Sequence, residues 1–313
     1  MSAWQPDRLL EGFEALEQRM PDDYDGEVVA TLVRLPTGTA PRGAALYVHG
    51  FVDYFFQRHM AERFTAEGYA FYALDCRKHG RSLRAHQHPC FCKDIHEYFA
   101  DIDWALSVID APALLCGHST GGLICALYAH EGAQRNRVRA LWLTSPFFEF
   151  NAPPERRRHL AIASWLGRFA PFLSDKGGLR PEYVESLHRD WRGEWDFDLR
   201  LKPHLGFPIF AGWVRAIRLA QARLQAGLDI HCPVLLMHSD AADITLDWRH
   251  MTRWGPGLGA LVTLAAFPGG LHDLVLSRRE IRESVFQRLF AWDMTNLHSK
   301  PWLEGTRAIP GLV

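Results

Sequence analysis

Gly117-His118-Ser119-Thr120-Gly121 sets one serine between two glycines in the middle third of the chain. Before it lies an apolar, strand-like run, Ala113-Leu114-Leu115-Cys116. After it comes a helix-like run from Gly122 to Tyr128. A serine between glycines at a strand-to-helix junction is the signature of a nucleophile elbow. The sharp turn lifts the hydroxyl clear of the sheet, and the glycines have no Cβ to strike the neighbouring strand and helix. The Thr120 N–H falls at a helix N-terminus, where the helix dipole favours developing negative charge. An ordinary strand-turn-helix junction with an incidental serine gives the same five letters, so the flanking chain has to decide.

Working outward, strand-like and helix-like runs alternate. Residues 27–34, 44–48 and 69–74 read as strands, and Met60 to Gly68 reads as a helix closed by Gly68. Ile95, Tyr98, Phe99, Ile102, Leu106 and Ile109 mark a helix by their spacing. A strand follows at Arg139–Thr144. From Phe147 to about Leu228 the chain turns rich in Arg, Trp and Pro, with helical stretches and no clear buried strand. The strand rhythm resumes at Pro233–His238 and Leu261–Ala266, and a last helix runs from about Arg278 to Met294. Apolar rather than alternating strand interiors indicate a mostly parallel sheet covered by helices on both faces, an α/β fold. The expected organisation is a core of residues 1–146 and 229–313 with a helical cap inserted at 147–228. The charged stretch from Met1 to Met20 is expected to be helical.

The chain has 313 residues, enough for one large core with an insertion. A net charge of −1 gives no electrostatic case for nucleic acid or an acidic membrane surface. No segment approaches the roughly 18 apolar residues of a membrane span, and the N-terminal stretch lacks the apolar run of a signal peptide. A cytoplasmic setting without integral membrane association is therefore expected. Of the six cysteines, Cys116 and Cys125 fall in apolar runs and read as small core residues. His86, His88, Cys90 and Cys92 crowd one loop, but their spacing is poor for zinc, so no metal and no cofactor is expected.

A serine on an elbow needs a base and an acid, in the chain order Ser, Asp or Glu, His. His272 follows the last strand in a glycine-rich loop, Phe267-Pro268-Gly269-Gly270-Leu271-His272-Asp273, and is the candidate base. The acid should follow the strand before it, where Asp240, Asp243 and Asp247 compete. Asp240 is close to the strand end and Asp247 reads as the start of a helical turn, so Asp243 is favoured, with Asp240 as runner-up. The oxyanion donors are expected to be the Thr120 N–H and the Phe51 N–H of the His49-Gly50-Phe51 loop. Tyr54, Phe55, His118, Trp195 and Trp213 are candidate substrate contacts, each with simple core packing as the rival reading. Asp75 and Arg77, in the loop running to Ser82, are expected to brace neighbouring turns.

With these residues in place, the chain resembles the lysophospholipase and monoacylglycerol-lipase-like branch of the α/β hydrolases, which carries the serine aminopeptidase S33 domain label. The resemblance runs through His49-Gly50, the D-x-R-x-x-G-x-S loop at Asp75–Ser82, the elbow, the aspartate loop at 240–247 and Gly270-Leu271-His272-Asp273. It departs after His49-Gly50, where Phe51-Val52-Asp53 stands in place of the usual Gly-Glu-His. The resemblance implies a serine hydrolase of the carboxylesterase or lipase type, with Ser119, Asp243 and His272 as triad and a cap over an apolar pocket. Its expected partner is a small or medium apolar ester or lipid-like substrate. The same triad also serves amide or thioester hydrolysis and acyl transfer. A non-catalytic ligand-binding protein on this fold is the rival from another class. The oligomeric state is left open.

Overall fold

The computed structural model describes residues 3–38, 40–175 and 180–297. Residues 298–313, at the end of the expected second core segment, lie outside the described residues, as do Met1, Ser2 and, within the expected cap, 176–179. In chain order the elements begin with β1 (Gln5–Pro6), β2 (Glu14–Asp23), β3 (Gly26–Arg34), β4 (Gly43–Val48), α1 (Arg58–Ala66) and β5 (Tyr69–Asp75). Then come α2 (Glu97–Ile109), β6 (Ala113–His118), α3 (Thr120–Glu131) and β7 (Val138–Thr144). Residues 147–228 hold α4 (Pro154–Leu166), β8 (Ser174–Asp175), α5 (Pro181–Leu187), β9 (Ile209–Phe210) and α6 (Ala211–Gln225). The chain continues through β10 (Val234–His238), α7 (Trp248–Trp254), β11 (Val262–Ala266) and α8 (Arg279–Leu297).

Nine strands form one sheet in the order β1-β2-β3-β5-β4-β6-β7-β10-β11. The run from β5 to β11 is parallel, and β1, β2 and β3 add an antiparallel edge. Successive side chains of a strand face opposite sides, and here both sides are dry. On one face Leu46, Leu115, Leu141 and Leu236 pack with Ile102, Leu106, Leu127 and Ile217 from α2, α3 and α6. On the other, Tyr47, Leu114, Trp142 and Leu235 pack with Met60, Phe64, Phe286 and Leu289 from α1 and α8. That is why these strands read as continuous apolar runs rather than alternating ones.

The N-terminal stretch corrects the sequence reading. Its described residues form strands β1 and β2 joined by turns, not a helix: β2 pairs antiparallel with β3, matching Leu16 to Leu32 and Arg19 to Val29. Leu16 and Met20 are buried while Glu17 and Arg19 face water. Charged residues with good helix propensity are overridden here by pairing with a buried neighbour. The hairpin tip is tied down by Asp23 and Asp25, each 2.8 Å from the buried Lys78 ammonium.

The 147–228 stretch carries three helices, α4, α5 and α6, and two short strands. β8 and β9 form a short antiparallel pair, Ser174 opposite Phe210. Among the described residues no helix is long and apolar enough to cross a membrane.

Candidate active site

Ser119 sits between β6 and α3 with φ 53° and ψ −116°, a conformation that L-residues rarely adopt. Its surroundings hold it there. Its N–H donates to Thr144 O at 3.0 Å, and its carbonyl accepts from the N–H groups of Gly122, Leu123 and Phe147. The flanking glycines are required by contact. A Cβ on Gly121 would lie 2.3 Å from Val48 O and 2.4 Å from His49 O. One on Gly117 would lie 2.6 Å from Gly121 O and 2.9 Å from Cys125 Sγ.

The loop after β11 brings His272 to this turn, with Nε2 3.0 Å from Ser119 Oγ. The loop after β10 brings Asp243, whose Oδ2 is 2.9 Å from His272 Nδ1. Asp243 Oδ1 accepts from the N–H groups of Thr245 and Leu246 at 2.7 and 2.9 Å. Burial alone would raise the Asp243 carboxyl. The His272 imidazole and the two backbone donors outweigh it and hold the group below the usual carboxylate range. The ionised carboxylate makes Nδ1 the protonated nitrogen of His272 and leaves Nε2 free to accept from the serine hydroxyl. The competing aspartates point elsewhere. Asp240 accepts from the N–H groups of Ala242 and Gly269. Asp247 caps α7 by accepting from the Arg249 N–H.

Phe51 and Thr120 both line the cavity over Ser119. The Thr120 N–H is the first of α3 and has no carbonyl within the helix to bond. The loop before Phe51 is fixed by His49, whose Nε2 accepts from the Cys76 N–H at 3.1 Å. Its Nδ1–H can therefore donate to Gly50 O, 2.8 Å away. The Asp75–Ser82 loop braces this region. Asp75 accepts from the Phe55 N–H at 2.8 Å and from the Arg81 guanidinium at 2.8 Å, while Arg77 pairs with the buried Asp101 at 2.7 Å.

The cavity has a volume of 150 Å³, and its apolar walls include Phe147, Phe150, Ile209, Leu246 and Trp213. Three of these, Phe150, Ile209 and Trp213, also line a larger groove of 930 Å³ along α4. Of the candidate contacts, His118 and Trp213 line the cavity, and Trp213 stacks on Phe51 at 4.0 Å. His118 is buried beneath His272, their rings 4.9 Å apart. Burial, and then the charge His272 acquires on protonation, pull the His118 pKa to about 3, so its ring stays neutral.

Tyr54, Phe55 and Trp195 do not reach the cavity. The Tyr54 hydroxyl accepts from the Asp198 N–H at 2.7 Å, and Phe55 is a core residue. Trp195 stacks on His59 at 4.3 Å and donates to Leu276 O at 2.7 Å. The residues of the His-Cys loop go separate ways. Cys90 and Cys92 are buried, His88 pairs with Asp25 at 2.7 Å, and His86 bonds Glu27 O. Sequence reasoning missed a buried ion pair beside the site, Lys202 Nζ to Asp53 Oδ1 at 2.7 Å. The partners are 149 positions apart, and no local pattern marks either.

Comparison with known proteins fits this geometry. The family model for serine aminopeptidase, S33, matches residues 39–278. A monoacylglycerol lipase of Mycolicibacterium smegmatis is 30% identical over 216 residues, 64% of this chain and 71% of that one. Among solved structures, a soluble variant of the Saccharomyces cerevisiae monoglyceride lipase superposes with a TM-score of 0.71 at 20% identity, covering 90% of this chain and 96% of that one. A thermostable carboxyl esterase of Bacillus coagulans gives 0.67 at 18% identity, covering 90% and 98%. The chain belongs to the serine aminopeptidase S33 family of α/β hydrolases, in its monoacylglycerol-lipase-like branch.

Proposed function

We propose that this protein is a serine ester hydrolase that cleaves a small or medium apolar ester, of the monoacylglycerol kind, through Ser119, His272 and Asp243. The observation that carries the reading is the unbroken chain from Asp243 through His272 to Ser119 Oγ, at 2.9 and 3.0 Å, at the wall of an apolar cavity. His272 takes the serine proton as the hydroxyl attacks the ester carbonyl. The Phe51 and Thr120 N–H groups receive the oxyanion, each contributing about 3–4 kcal/mol to the transition state. His272 then protonates the departing alcohol and activates the water that releases the acyl group. Asp243 holds the imidazole tautomer and stabilises the imidazolium.

The 147–228 segment acts as the cap, since it supplies Phe147, Phe150, Tyr183, Ile209 and Trp213 to the cavity wall. Short acyl chains fill the cavity, and longer ones extend into the groove along α4. Six unpaired cysteines fit the cytoplasmic setting.

The test is a p-nitrophenyl ester series from acetate to palmitate, run on the wild type and Ser119→Ala. The reading expects turnover greatest at about four to eight acyl carbons, and loss of about 10³-fold or more in the variant. Binding of these esters without turnover would instead identify a ligand-binding protein.

A further inference from the structure

Val52, the residue after Phe51, has φ 51°. It is β-branched and fully buried, and its Cβ disfavours left-handed backbone. Such a conformation persists only where its surroundings over-determine it. On one side the loop is tied by His49, through Gly50 O and the Cys76 N–H. On the other side stands Asp53, whose carboxylate meets the Lys202 ammonium at 2.7 Å with the two side chains 1% and 0% exposed.

Lys202 belongs to the cap segment and sits in a closed cage. Its Nζ is 3.3 Å from the Tyr183 hydroxyl and 5.5, 5.0 and 5.6 Å from the ring centres of Phe56, Tyr183 and Phe197. The second Asp53 oxygen is buried without a hydrogen-bond partner among the described residues, next to His118 and the fully buried Asp273. A buried carboxylate that loses its cation is strongly disfavoured. Any shift of the loop that pulls Asp53 away from Lys202 therefore meets resistance.

We propose that Lys202 is a positioning residue for the oxyanion hole: through Asp53, the cap holds the loop from His49 to Asp53 in the strained form that presents the Phe51 N–H. This rests on the hydrolase reading and on Phe51 as a donor. The pair links the cap to catalysis as well as to stability. A cap residue that does not line the cavity then acts on kcat rather than on substrate binding.

The test is the double variant Asp53→Asn/Lys202→Met, which removes both charges of the pair together, while burial keeps the neighbouring Asp273 carboxyl raised. Its melting temperature is expected to stay within a few degrees of the wild type. Its kcat on p-nitrophenyl butyrate should fall by about 10- to 100-fold, with KM within about threefold. Adding Val52→Gly, which tolerates a positive φ, should recover at least about fivefold of that loss. A pair with a purely structural role would not produce this rescue, because trimming a buried valine would make matters worse.

If the double variant does not fold, isosteric Asp53→Asn alone carries the test, with about a tenfold loss in kcat expected. A folded double variant with wild-type kcat overturns the proposal, as does a Val52→Gly addition that lowers kcat further. Ser119→Ala run alongside separates the two readings. Wild-type hydrolysis in Ser119→Ala overturns the hydrolase reading itself. A dead Ser119→Ala with a fully active double variant overturns only the clamp.

Discussion

Asp243→Asn probes the site through a single proton. In the wild type Oδ1 accepts from the Thr245 and Leu246 N–H groups at 2.7 and 2.9 Å, and Oδ2 faces His272 Nδ1 at 2.9 Å. Those two backbone donors fix the orientation of the new amide. Its carbonyl oxygen takes the Oδ1 place and its –NH₂ takes the Oδ2 place. An amide –NH₂ donates, so Nδ1 must become the unprotonated nitrogen. The imidazole proton then moves to Nε2, facing Ser119 Oγ across 3.0 Å. A base that already carries its proton there cannot take one from the serine. The loss expected from such a tautomer error is about 10⁴ in kcat, which is about 5.4 kcal/mol of transition-state stabilisation.

Asp243 is not among the residues lining the cavity, so KM should stay within about threefold. The assay is steady-state hydrolysis of p-nitrophenyl butyrate near pH 7.5, with melting curves to confirm folding. Asp240→Asn is the comparison, because the Asp240 carboxylate accepts from the Ala242 and Gly269 N–H groups rather than from His272. It should keep kcat within about threefold. The reasoning fails if folded Asp243→Asn retains more than about a tenth of wild-type kcat, or if Asp240→Asn is the variant that loses activity.

Gly121→Ala should place a methyl 2.3 Å from Val48 O and 2.4 Å from His49 O, both of them backbone atoms. The expected cost is about 3 kcal/mol or more, with kcat down at least about tenfold as the oxyanion loop is pushed aside, read by melting and turnover. An unchanged melting temperature would contradict this. Acid should destabilise the fold through buried imidazoles. Burial first, and the neighbouring imidazoles of His49 and His272 second, draw His79 and His118 to about 3, and burial draws His59 to about 4. The unfolded chain therefore binds up to three more protons below about pH 6, and stability falls by about 4 kcal/mol per unit once all three titrate. Asp101 and Asp273, whose carboxyls burial raises, protonate first in the folded state and offset part of the loss. Denaturant midpoints at pH 7, 6 and 5 check the sign, and a midpoint rising on acidification would contradict it.

The parts of the site that could be read in the sequence are those with local causes. Gly117 and Gly121 are dictated by backbone atoms that come too close for any Cβ, and such constraints leave a short motif. His272 could be found because a glycine-rich loop after the last strand can return a side chain over the sheet edge. Asp243 was harder, because three aspartates share eight positions and differ only in where a loop turns each one. The misread N-terminus has the same origin. Glu17 and Arg19 carry helix propensity, while the β3 partner that makes the segment a strand is known only once the chain is folded. The Asp53–Lys202 pair and the left-handed Val52 leave no sequence trace, since both depend on how the 147–228 segment settles against the loop after β4.

If Ser119 is an activated nucleophile, a reagent that captures such serines will label it covalently. The folded protein is treated with a fluorophosphonate, and the modified peptide is located by mass spectrometry. The account predicts one adduct per chain, on Ser119, abolished by Ser119→Ala and strongly slowed by Asp243→Asn. An unmodified Ser119 in folded protein, or an adduct on another residue that survives Ser119→Ala, would contradict it.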